Sequence, residues 1–252
     1  MKKRLILPLL LTALLRLTFA APEVADSLGE ADPAWSGGIE TAATNAYLWR
    51  GMIVNEAAIL QPAAWVTHKN VTLTLWSSWT LSEPKDDIKR PEIDAALTYE
   101  FSWQNLAFET YFNYYGYIDQ PDAPNTGELA CIAGYPIGIF TLKAGVMCDI
   151  IEYSGALYTE EGVEMEKELN DQFTAFGALT LGAGSAKFND AYFELHRTTA
   201  SLLSLEGRLT WTRPSGLYLQ PWFQFNQTLD NDLKPYLKKH TSSFGLTAGH
   251  EF

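Results

Sequence analysis

The chain has 252 residues, 47 % hydrophobic and 19 % charged, with a formal net charge of −12. That composition excludes a disordered chain and a helical membrane protein, and the acidic balance excludes nucleic acid as a partner, because phosphate binding needs the opposite sign. Aromatic residues reach 13 %, a load that an interface girdle in a membrane requires.

The first element is a targeting segment. Lys2, Lys3 and Arg4 precede a short apolar run from Leu5 to Leu15, and small residues follow at Ala20 and Ala21. Residues 1–20 therefore read as a signal peptide, too short and wrongly flanked to span a bilayer. Its removal takes away Lys2, Lys3, Arg4 and Arg16 and moves the net charge from −12 to −16. Residues 21–36, with Pro22 and Pro33, read as a flexible periplasmic leader. No later apolar stretch approaches the roughly 18 residues of a spanning helix. A membrane location then requires a closed barrel, the other structure that satisfies every backbone group in lipid.

From Gly38 onward the chain alternates apolar and polar residues at period 2. Strands are expected near 38–50, 58–68, 70–81, 92–102, 104–115, 128–136, 139–152, 156–168, 172–183, 201–213, 216–228 and 241–252. This is an all-β reading: a transmembrane antiparallel up-and-down β-barrel over residues 37–252, with twelve strands, closed by pairing the first with the last. Segment 203–212 shows the pattern well. Leu203, Leu205, Leu209 and Trp211 share one face, and Ser204, Glu206, Arg208, Thr210 and Thr212 share the other. Short connections alternate with long ones, as periplasmic turns alternate with outer loops. Phe188, Tyr192, Phe193 and Leu195 would suit a further strand over 186–196, but an odd count breaks that alternation, so the segment is assigned to a long outer loop. A soluble sandwich would alternate too. Trp49, Trp65, Trp79, Trp103, Tyr135 and Trp211 near strand ends favour the barrel, as membrane-interface aromatics.

The terminal alternation of Phe244, Leu246, Ala248, His250 and Phe252 resembles the recognition signal that outer-membrane β-barrels present to their assembly machinery. Tyr47-Leu48-Trp49-Arg50-Gly51, followed by Gln61-Pro62, is similar to the first hairpin of TorF-type porins. Asn189-Asp190-Ala191-Tyr192-Phe193 is similar to a stretch of MipA/OmpV-type barrels. These resemblances imply the outer membrane of a Gram-negative bacterium and barrel architecture. They also imply contact with outer-membrane lipids and lipopolysaccharide, and assembly through Phe252.

Charges cannot face lipid cheaply, so the polar phase must line the lumen or the rims. The lumen-lining candidates are Glu100, Glu109, Lys143, Glu164, Glu166, Glu206 and Arg208. An acid-dominated lining points to a pore that prefers cations; a lumen filled by ion pairs such as Glu206–Arg208 is the opposed reading. Glu164, Glu166 and Glu168 share one face at roughly 7 Å intervals, either as a divalent-cation site or as a partly neutralised rim. Arg50, expected at an outer rim, suits a lipopolysaccharide phosphate or a loop-anchoring hydrogen bond. His68, His196, His240 and His250 have no metal-ligand spacing, and no nucleophile or phosphate-loop motif is present, so no catalytic residue, metal or cofactor is expected. Cys131 and Cys148 are expected as free, lipid-facing thiols about four register positions apart, on the order of 13 Å. The function expected is a porin passing small cations or neutral solutes through an acidic lumen. A non-conducting structural or surface-interaction barrel and an outer-membrane lipid hydrolase are the alternatives.

Overall fold

The computed structural model describes residues 35–82, 90–121 and 123–252. The expected signal peptide, residues 21–34 of the leader and most of the 82–91 connection lie outside the described residues. In chain order the elements are β1 (Ser36–Thr44), β2 (Tyr47–Trp49), β3 (Met52–Asn55), β4 (Ile59–His68), β5 (Val71–Thr80), β6 (Glu92–Trp103), β7 (Leu106–Tyr117) and β8 (Thr126–Ile137). They continue with β9 (Phe140–Asp149), β10 (Leu157–Asn170), β11 (Phe173–Gly184), helix α1 (Ala186–Phe193), β12 (Thr199–Thr212), β13 (Leu217–Thr228) and β14 (His240–Glu251). Twelve of the strands form one closed antiparallel barrel, and β2 and β3 form a separate two-stranded hairpin. β1 pairs with β4 on one side and β14 on the other. Gly37 and Phe252 exchange both backbone hydrogen bonds, at 3.0 and 2.9 Å, so pairing runs to the last residue. Among the described residues, closure leaves no edge strand in the barrel wall.

The barrel is inside-out relative to a soluble fold. Leu75 (54 % exposed), Leu97 (52 %) and Phe244 (63 %) lie on the outer surface, whereas Glu109 and Thr247 are fully buried. Alternation causes this: each β7 residue on the phase of Glu109, Tyr111, Asn113 and Tyr115 points inward, and Phe108, Phe112 and Tyr114 point out. An apolar surface of this extent suits a lipid solvent and not water. Short turns close one end; two of them hold Lys69 and Gln104 at positive φ. Long connections gather at the other, the loop end.

The expected first strand, 38–50, is two pieces in the structure. Its wall portion stops at Thr44 because Asn45 turns its side chain to the neighbouring strand, where Oδ1 accepts the Phe244 backbone N–H at 2.8 Å. Arg50 (φ 47) and Gly51 (φ 86) then form a tight two-residue turn between β2 and β3. Two consecutive positive φ values match the twist of a hairpin. At the other end of β1, Ser36 already belongs to the strand rather than to the leader. The 186–196 segment is part of a long connection, as its place in the alternation implies, and contains a helix: Ser185 accepts the Phe188 N–H at 3.2 Å as N-cap, and Glu194 closes the helix at positive φ.

The thiol register also differs from expectation. Ile137 pairs with Phe140, so Cys131 faces Val146, and Cys148 lies two positions further rather than four. The shift follows from a turn at Gly138-Ile139, one residue later than the expected Ile137-Gly138, with Gly138 at φ 63. Both cysteines lie on the outward phase and are free.

Candidate functional site

The inward phase defines the candidate site. It carries Glu40, Glu92, Asp94, Glu100, Glu109, Glu128, Asp149, Glu160, Glu164, Glu166, Glu168, Glu206 and Glu251 against Lys143 and Arg208, which is thirteen carboxyl groups to two cations. The lumen candidates are spread over β6, β7, β9, β10 and β12 of the ring. Glu109 lies opposite Glu100 in the ladder between β6 and β7, and Lys143 Nζ lies 3.3 Å from Glu164 Oε1. Lys143 and Glu164 also line a cavity of about 20 Å³ with Ile132, Gly145, Met147, Glu160, Gly162 and Thr180, room for a water molecule. Both carboxylate oxygens of the fully buried Glu109 lack a hydrogen-bond partner within the protein. On β12, one strand beyond β11 from Glu164, Arg208 Nε lies 3.3 Å from Glu206, and its guanidinium stacks 3.8 Å from the Phe176 ring. Glu164, Glu166 and Glu168 do share a face, yet among the described residues no three acidic, histidine or cysteine side chains converge as a metal site.

Two of the expected interface aromatics point elsewhere. Trp65 is on the inward phase of β4, because Gln61, Ala63 and Trp65 face the lumen and Ala64 and Val66 face out. Its ring lies over Gly38, where a Cβ would come within 2.1 Å of Cζ2. Trp49 lies at the tip of the hairpin and packs on Tyr115, Phe188 and Tyr192, with ring centroids 6.4, 6.1 and 5.3 Å apart. Trp79, Trp103 and Tyr135 are exposed on the outside near strand ends (43 %, 60 % and 43 %), and Trp211 shares their outward phase.

The loop end is closed by this hairpin. Tyr47 meets Trp76 of β5 edge-on at 5.5 Å, and a Cβ on Gly51 would touch Leu202 of β12 at 3.0 Å. The hairpin therefore reaches across the mouth from one wall to another. Arg50, expected at the outer rim, is instead buried (3 % exposed). Its two terminal nitrogens meet both carboxylate oxygens of Glu128, at 2.8 and 2.9 Å. The Tyr111 and Tyr115 hydroxyls donate to Glu128 Oε1 at 3.4 Å. The guanidinium lies 4.6 Å from the Trp49 ring and 4.4 Å from the Tyr158 ring. A planar cation held by a carboxylate fork between aromatic faces combines the two strongest modes of guanidinium recognition.

Two further loops brace the hairpin. Asn189 of α1 is buried and donates to the Gly184 and Arg197 carbonyl oxygens at 2.9 and 2.8 Å. Arg197 pairs with Asp230 and Asp232 at 2.6 and 2.8 Å, and Lys238 pairs with Glu56 at 3.1 Å. The Thr199 hydroxyl, the Asp232 backbone N–H and Arg197 hold the Asp230 carboxyl below the ordinary aspartate range. Leu233 and Leu237 of the same loop are buried beneath it. His196 pairs with Asp190 at 2.7 Å on the exposed side of this lid, where its side chain is 80 % exposed.

Sequence reasoning missed Glu128, Glu160, Tyr111, Tyr115 and Tyr158 as lumen residues. Tyr111 and Tyr115 were legible, since they share the phase of Glu109 and Asn113.

Solved structures share this fold. A KdgM porin superposes with a TM-score of 0.53 at 7 % identity over 85 % of this chain and 99 % of that one. A NanC porin gives 0.51 at 8 % over 85 % and 98 %. The translocator domain of autotransporter NalP from Neisseria meningitidis gives 0.50 at 11 % over 88 % and 90 %. The fold is thus a closed twelve-stranded barrel of the kind that these proteins share, and the likeness is one of fold. No family model and no curated protein matches the chain, so the TorF-type and MipA/OmpV-type likenesses rest on their own short motifs.

Proposed function

We propose that this chain is an outer-membrane porin that passes small cations and neutral solutes through an acid-walled lumen, with its loop end closed in the conformation described. The observation that carries this reading is the balance of inward charge on the barrel strands, thirteen carboxyl groups against Lys143 and Arg208, with Arg50 of the hairpin paired to one of the thirteen, Glu128. Carboxylate-lined constrictions favour cations. One solved KdgM porin is in complex with disordered oligogalacturonate; a lumen of the present charge disfavours such a carboxylated chain. The resemblance of Tyr47–Gly51 to TorF-type porins points the same way. On this reading Trp79, Trp103, Tyr135 and Trp211 sit at the membrane interfaces among lipids and lipopolysaccharide, and the C-terminal strand engages the assembly machinery.

The inserted hairpin favours a second reading, a barrel that carries no current and acts through its loops. Purified mature protein in a planar bilayer separates the two. Discrete current steps support the porin. No steps from a barrel shown folded by heat-modifiable migration support the structural reading.

A further inference from the structure

The groups that hold the Arg50 guanidinium belong to the barrel rather than to the hairpin, apart from the Phe188 ring of α1 at 5.5 Å. Glu128 comes from β8, Tyr111 and Tyr115 from β7, and Tyr158 from β10. All four are on inward phases and buried. Only Arg50 and Trp49 arrive on the hairpin, which joins the wall through the short links 45–46 and 56–58. The cation and its receptor therefore sit on separate parts of the fold.

We infer that the Glu128–Tyr111–Tyr115–Tyr158 cluster is a binding site for organic cations of the guanidinium class, and that Arg50 is a tethered competitor occupying it. The geometry is specific to that ligand. Glu128 presents both oxygens to two nitrogens of one planar group, at 2.8 and 2.9 Å. A compact ammonium can fill one such contact and not the fork. The Tyr158 face at 4.4 Å suits a flat, weakly hydrated cation. Tyr111 and Tyr115 orient the carboxylate by donating to Oε1, so the receptor stays formed when the hairpin leaves. Tethering gives Arg50 an effective concentration in the millimolar range or above. A free ligand must exceed that to enter the wild-type protein, and binding would release the hairpin from the mouth. The inference rests on the lumen reading above only in placing the site on a solute path; binding itself needs no current.

The test uses the full mature barrel folded in detergent micelles, with methylguanidinium chloride as the probe and sodium chloride at equal ionic strength as the control. Arg50→Ala should bind methylguanidinium saturably by calorimetry, with a rise in unfolding temperature. Arg50→Ala/Glu128→Gln should bind at least about tenfold more weakly, since the charge-assisted fork is lost. In wild-type protein, methylguanidinium should speed amide exchange across 47–55 while sodium does not. If the single variant folds and shows no saturable binding, or binds as well without Glu128, the inference is overturned. If that variant fails to fold, unchanged exchange at 47–55 in wild-type protein overturns it instead. A barrel that binds methylguanidinium but passes no current would refute the porin reading and leave this one standing.

Discussion

Replacing Arg50 with alanine leaves Glu128 buried without a counter-ion. Its remaining donors would be two tyrosine hydroxyls at 3.4 Å. Removing one partner of a buried ion pair costs about 3–5 kcal/mol, because the survivor keeps its desolvation penalty. Here that cost falls on the closed conformation alone, since an open mouth lets water reach Glu128. At about 1.4 kcal/mol per decade, the ratio of open to closed hairpin should rise by roughly two to three and a half orders of magnitude. The assay is hydrogen exchange followed by mass spectrometry, comparing the 45–58 segment with β12 and β13 as internal references. Arg50→Ala should accelerate exchange in 45–58 and leave the reference strands unchanged. Glu128→Gln should act in the same direction, and the double variant should fall well short of the sum of the two, as groups in one contact do. Additive effects, or unchanged exchange in 45–58, would show that the fork does not hold the hairpin and would refute the reasoning.

Other consequences are as direct. Gly184→Ala places a Cβ 2.3 Å from Asn189 Oδ1 and 2.7 Å from Phe188 Cδ1, so α1 must shift; limited proteolysis should cut within 185–198 in the variant and not in the parent. Leu75→Arg puts a cation on the lipid-facing phase near mid-strand, which should lower stability in lipid by about 2–4 kcal/mol by urea titration, whereas Glu161→Leu, which removes a carboxylate from that phase on β10, should raise it. Asp230 is held below the ordinary aspartate range, so its tie to Arg197 and Thr199 stabilises the lid above that range and is lost as pH falls through the depressed value, below about pH 4. A fluorophore at Tyr236 should report loop release on acidification, and Asp230→Asn should already be loose at neutral pH.

The wall was legible in the sequence because a strand in lipid obeys one rule that a reader can apply: polar in, apolar out, at period 2. Segments such as 203–212 and 92–102 obey it almost without exception, and their ends fall within a few residues of β12 and β6. The loop end was less legible, for a physical reason. Tyr47, Leu48 and Trp49 follow an alternating run and look like its continuation, yet an aromatic segment serves a lipid girdle and a lumen plug equally well. What ends β1 is a side-chain cap by Asn45 and a turn at Arg50-Gly51, and the Arg-Gly pair was the readable sign of that turn. Trp65 was misassigned because its place near a strand end outweighed its phase, although Gly38 opposite it offers the space a ring needs. Glu128 was overlooked because its partner is 78 residues away in the chain; no local pattern announces a contact of that range.

An acid-walled path for cations fixes the sign of the reversal potential under a potassium chloride gradient, measured on the Arg50→Ala barrel so that the hairpin does not close the mouth. The potential should lie near the potassium equilibrium value and move toward zero when Glu109 and Glu164 are both changed to glutamine. A reversal potential at zero or toward chloride in the parent, or one indifferent to those two carboxylates, would contradict it.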